Sequence, residues 1–149
     1  MSTLAASGAG GERAAATRIA GELGDLIRKI GPETLTAAEA LRAVRVSAPG
    51  QPLRVPAEVR AVWRRRGHDI DQAHVKVSGV QGADAARKAA LHVLDVLRAA
   101  CRAGELALTS STAVTRDQHA KQQHAEGARL HAAIQTLTVR LRQAGATHL

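Results

Sequence analysis

Phenylalanine and tyrosine are absent from this chain of 149 residues, and tryptophan occurs once, as Trp63. Proteins that read unpaired bases stack them on aromatic rings, so the composition argues against such a reader. Cysteine also occurs once, at Cys101, which rules out an internal disulfide framework and fits a reducing, cytoplasmic setting. No apolar run approaches the roughly 18 residues that a membrane span needs. The first eleven residues have neither the basic start nor the apolar stretch of a secretory leader, and Gly8, Gly10 and Gly11 make them read as a flexible arm. Lysine is scarce, with 4 residues against 17 arginines, and no internal repeat is visible.

Alanine dominates what is there, with 32 residues, in a chain that is 45% hydrophobic and carries a formal net charge of +8. A chain of this size buries enough surface for one autonomous domain, expected here over 12–149. Ile19, Leu23, Leu26, Ile27 and Ile30 form one apolar stripe at helical period, ended by Gly31-Pro32. Thr36 and Glu39 have capping-box spacing and open a short helix through Leu41 and Val44. Ser47 to Pro56 carries Pro49, Pro52 and Pro56 and is expected as an extended connector.

Pro56 suits the start of a third helix burying Val59, Val62 and Trp63, with Gly67 as its stop. Val75-Lys76-Val77 alternates like a strand between turn signals, so a small irregular or hairpin insert is expected near 68–82. A long helix follows from about Ala83 to Arg102, burying Ala86, Ala90, Val93, Leu94, Leu97, Ala100 and Cys101 and exposing Lys88, His92, Asp95, Arg98 and Arg102. The last helix is expected from Thr115 to Ala144. Leu130, Ile134, Leu137 and Leu141 form its apolar seam, a candidate interface with other subunits or copies of the chain. The expected fold is all-α, a compact bundle of about five helices.

Catalytic chemistry finds little support. His68, Asp69, Asp71 and His74 gather four ligand or acid-base groups in seven residues, but in no spacing that suits a metal site, and the aspartates balance Arg64, Arg65 and Arg66. His119, His124 and His131 are too far apart along a helix to share an ion. Gly79 and Gly82 could frame a phosphate loop but read more simply as a turn. No enzyme activity, metal, cofactor or small-molecule substrate is expected.

The charge is concentrated. Between residues 42 and 66, Arg42, Arg45, Arg54, Arg60, Arg64, Arg65 and Arg66 face the single acid Glu58, so this segment holds six of the eight net positive charges. Clustered guanidiniums repel one another unless phosphate neutralises them, and these seven are the candidate contacts to an RNA or DNA backbone. A helix-turn-helix needs a turn of about 3–4 residues, which the proline-bearing connector does not supply. A winged-helix regulator using 75–80 as its wing is one alternative; a helical structural protein of a virus-like particle is another.

A basic, all-helical chain of this size, with arginines spread over a compact bundle and no catalytic motif, resembles the small helical subunits of multi-protein CRISPR effector complexes. The resemblance covers size, class and charge and includes no residue motif. It implies a non-catalytic part in antiviral defence: stacking beside a guide RNA and supporting the target strand.

Overall fold

The computed structural model describes residues 10–29, 57–109 and 113–146, and all secondary structure among these residues is α-helical. Four helices are described: α1 (10–29), α2 (Ala57–Ser78), α3 (Asp84–Thr109) and α4 (Ala113–Gln143). The short helix expected after Thr36 and the connector Ser47 to Pro56 lie outside the described residues. Gly10 and Gly11, expected in the arm, already belong to α1.

Each helix buries one stripe. In α1 it is Ala15, Ala16, Ile19, Ala20, Leu23 and Leu26, while Ile27 at its edge stays exposed. In α2 it is Arg66, Ile70, Ala73 and Val77, spaced by four, three and four residues, which keeps one azimuth on a helix. That stripe corrects two expectations. Gly67 does not stop the helix, and no hairpin or irregular insert occupies 68–82, because α2 runs unbroken to Ser78. A glycine inside a helix costs about 0.5–1 kcal/mol relative to alanine, whereas fully burying Ile70 and Val77 stabilises by about 1.5–3 kcal/mol each. The Val-Lys-Val alternation arises because Val75 points outward, 71% exposed, while Val77 points into the core.

The chain turns back at 79–83. The N–H of Gly79 donates to the Val75 carbonyl at 3.1 Å, Gly82 adopts φ +93°, and Ala83 takes the left-handed φ of +49°. A Cβ on Gly82 would stand 3.4 Å from the Ala15 Cβ, so the turn is packed under α1. Val80 and Ala83 join the core, and α3 adds Ala86, Ala90, Val93 and Leu94.

α4 starts two residues before Thr115, which therefore lies inside the first turn and does not cap the helix. Its inward stripe changes character along its length. His119 and Gln123 are half-buried and Glu126 is buried, followed by Leu130, Ala133, Leu137 and Leu141. Glu126 accepts a hydrogen bond from Arg129 at 2.9 Å, while its second oxygen is buried without a partner. The helix ends in a Schellman motif: the Ala146 N–H donates to the Leu141 carbonyl at 2.9 Å and the Gly145 N–H to the Arg142 carbonyl at 3.0 Å. Gly145 supplies the φ of +95° that this motif requires, and the Arg13 side chain packs over it.

Helices adjacent in sequence run antiparallel. Lys29 pairs with Asp69 at 3.4 Å and Lys76 with Glu22 at 3.8 Å, fixing α1 against α2, while the N-terminal end of α1 touches the 79–83 turn and the end of α4. The apolar core therefore fills the end of the bundle that holds this turn and the α4 C-terminus. Leu137 and Leu141 lie inside it and Leu130 and Ile134 pack against it, so the seam expected as an interface is turned into the chain's own core.

Replacing Leu137, which is fully buried, by alanine should cost about 2–5 kcal/mol in urea unfolding without changing the sedimenting species. Val139→Ala, at a 51% exposed position two residues on, should cost under about 0.5 kcal/mol.

Candidate nucleic-acid interface

Three consecutive arginines on a helix point in directions about 100° apart, so Arg64, Arg65 and Arg66 cannot share a surface. Arg64 and Arg65 are exposed. Arg66 shares the azimuth of Ile70 and is only 3% exposed, which corrects its expected place among the backbone contacts. Its guanidinium hydrogen-bonds to the Cys101 thiol of α3, while its Nε is buried without a hydrogen-bond partner. Arg42, Arg45 and Arg54 lie outside the described residues, as do the side chains of Arg60, Val59, Val62 and Trp63.

Two contacts set the register between α2 and α3. His74 Nε2 stands 3.5 Å from Asp95 Oδ1, and Arg98 pairs with Asp71 one turn away. Seven residues are close to two helical turns, so moving back seven from His74 and on seven from Asp95 places Gly67 opposite Arg102. The same step from Asp71 and Arg98 places Arg64 opposite Glu105. The seam therefore carries charged residues along its length, the acid Glu105 among them at the end away from the core.

Ion pairs engage some of the cations among the described residues, Arg28 with Asp25 included. Lys29, Lys76, Arg87, Arg98, Lys121 and Arg129 each meet a carboxylate. Arg64 and Arg102 are exposed and form no ion pair among the described residues. Arg13, Arg18, Lys88, Arg140 and Arg142 do not either; Arg13 packs over the end of α4, and Arg140 and Arg142 occupy its last turn. There a cation complements the helix dipole. Arg102 was legible in sequence only as part of the outer stripe of α3. Its relation to Gly67 needed the register.

Other clusters are otherwise engaged. Asp69 and Asp71 pair with Lys29 and Arg98 and leave His68 exposed, while His119 is half-buried and His124 and His131 are exposed. Among the described residues no three His, Cys, Asp or Glu side chains converge on a metal-sized site. The Gly79 to Gly82 turn offers no phosphate cradle. Asp84 occupies the first turn of α3 with Arg87 on it at 2.9 Å, and Arg87 also donates to the Val80 carbonyl. Val75 to Ser78 are helical, so no wing forms there. A cavity of about 220 Å³ between α1 and α2 is lined by Glu22, Asp25 and Asp69 against Lys29 and Lys76, a balance that does not favour an anion. No described helix is long and apolar enough to cross a membrane.

Comparison with protein families, curated proteins and solved structures found no match.

Burial pushes the Cys101 thiol above its ordinary value of 9.0, and the nearby Arg66 guanidinium only partly offsets this. The folded state thus favours the neutral thiol. Its contribution to stability is complete below the ordinary value and is lost as pH rises from there through the raised one. Urea midpoints should fall between pH 8.5 and 10.5 more steeply in the natural chain than in Cys101→Ala, and equal slopes would remove the thiol from the account.

Proposed function

We propose that the chain is a non-catalytic helical module that binds nucleic-acid backbone without reading sequence, as a subunit of a ribonucleoprotein. The observation that carries this reading is the pair of exposed arginines Arg64 and Arg102, unpaired among the described residues, on the two helices that form the α2 to α3 seam. In the proposal, Arg42, Arg45, Arg54 and Arg60 extend the same phosphate track, since they contribute to the same excess of charge. Guanidinium forks match phosphate oxygens in bidentate geometry and carry no base preference when they meet only the backbone.

The narrower form of the proposal is a small subunit of a CRISPR effector complex, with guide RNA and target strand as ligands and other subunits as neighbours. It rests on the resemblance in size, class and charge described above.

Arg64→Ala, Arg65→Ala and Arg102→Ala combined should remove about three phosphate contacts, making the slope of log K against log salt shallower by about 2 for a single strand. The loss should be similar on two RNAs of unrelated sequence. Titrations at several salt concentrations, with circular dichroism to verify folding, test this. An unchanged slope in the folded variant sinks the assignment. A strong preference for one duplex DNA would favour the regulator, and nucleic-acid-free rings or shells in sedimentation would favour the particle protein.

A further inference from the structure

The inward stripe of α4 closes the chain's own core, and the same helix carries a second seam on its outer side. Val114, Gln118, Lys121 and Ala125 recur at alternating spacings of four and three residues, and Ala128, Ala132, Gln135 and Val139 continue the alternation. That is the spacing of the contact positions in a two-stranded coiled coil. All of these residues are exposed. Val114 and Val139, 70% and 51% exposed, are the exposed large hydrophobic side chains of α4 among the described residues, and they stand at the two ends of this line.

A row of alanines does not by itself say what covers it, but the order of these residues does. Read from either end, the seam runs Val, Gln, then Lys or Ala, then Ala. An interface on a twofold axis uses one patch twice, so the patch must complement its own reversed copy. Laid antiparallel against itself, α4 brings Val114 to Val139 of the second copy and Gln118 to Gln135 of the second copy. Lys121 then meets Ala132 and Ala125 meets Ala128, and each contact occurs twice.

The contacts within α4 suit this arrangement. Lys121 Nζ is drawn aside to Asp117 at 3.1 Å, so its aliphatic stem can cover an alanine while the charge stays in water. Gln135 Nε2 lies 3.3 Å from His131 Nε2, which leaves the Gln135 carbonyl oxygen to accept from the Gln118 amide. Polar side chains at such positions fix register at a cost in stability. The central alanines let two helix axes approach to about 8 Å along a seam about 38 Å long.

We propose that the outward seam of α4 binds the same seam of a second copy of this chain, antiparallel about a twofold axis, to form a dimer. The dimer goes beyond the backbone-binding reading, since it uses neither Arg64 nor Arg102 and requires no nucleic acid. Sedimentation equilibrium of the full chain alone, from about 5 to 500 μM, should show monomer and dimer in exchange. Ala128→Glu sets a charge against Ala125 of the second copy, twice per dimer, and should weaken association at least about tenfold with helix content unchanged by circular dichroism.

Orientation has its own test. Val114→Lys and Val139→Glu should each weaken the dimer about threefold, and the two together in one chain should restore it, because position 114 faces 139 only when the helices are antiparallel. Both sites are exposed, so these variants carry the test should Ala128→Glu fail to fold. A natural chain that stays monomeric at about 500 μM overturns the proposal, as does a dimer that folded Ala128→Glu leaves intact. Single variants without effect, or a double variant that stays as weak as they are, overturn the antiparallel pairing.

Discussion

Close contact between alanine-lined helix faces is the constraint on which the rest of this bundle depends. Without phenylalanine or tyrosine to span gaps, the core must be closed by bringing backbones together, and Ala15, Ala16, Ala20, Ala86, Ala90 and Ala133 provide the flat faces that allow it. Ile19, Leu23, Ile70, Val77, Leu94 and Leu137 then supply most of the large buried side chains, all at one end of the molecule. A core with so few large side chains has no slack. A shortened side chain leaves a void that no flexible aromatic neighbour can fill. The Schellman turn at Gly145 and the strained turn at Gly82 and Ala83 follow from the same demand, because both fold the chain tightly against α1.

The opposite end obeys a different rule. Among the described residues there, Arg66 on α2 and Glu126 on α4 are buried and His119 and Gln123 are half-buried, beside buried Ala103 on α3. Arg66 adds to the formal charge but almost nothing to the exposed surface; its guanidinium meets the Cys101 thiol while its Nε is buried without a hydrogen-bond partner. Charge on this molecule is thus sorted by position. Cations along the α1, α2 and α3 seams are tied to Asp69, Glu22 and Asp71, while Arg18, Arg64, Lys88 and Arg102 form no ion pair among the described residues.

The helical class was legible because the stripes of α1 and α3 repeat at 3.6 residues and contain enough isoleucine, leucine and valine to stand out from alanine. The buried face assigned to α3 agrees with the structure at Ala86, Ala90, Val93 and Leu94. α2 was harder for two physical reasons. Its stripe begins with an arginine, which hides its period, and its glycine resembles a terminus although tertiary burial of Ile70 and Val77 overrides the local penalty. The seam of α4 was visible, but periodicity states only that a face is buried, not whether the partner is the same chain. For the candidate site, Arg64 and Arg65 could be placed outside only after the helix was known to continue, and the pairing of Gly67 with Arg102 depends on an interhelical register that no local pattern encodes.

Backbone recognition suits such a scaffold for a reason of geometry. In the proposed reading the helical pair fixes the backbone at Arg64 and Arg102, so only their side chains need ordering when a phosphate arrives. In the proposed reading the described surface offers only a few contacts per copy, each sensitive to salt, and a single copy would hold a strand weakly. Several copies along one strand, or one copy anchored by neighbouring subunits, convert weak contacts into a stable assembly, because each additional contact is then made at high effective concentration. In that reading, position along the strand is fixed by the assembly and only the phosphates need to be met by this chain.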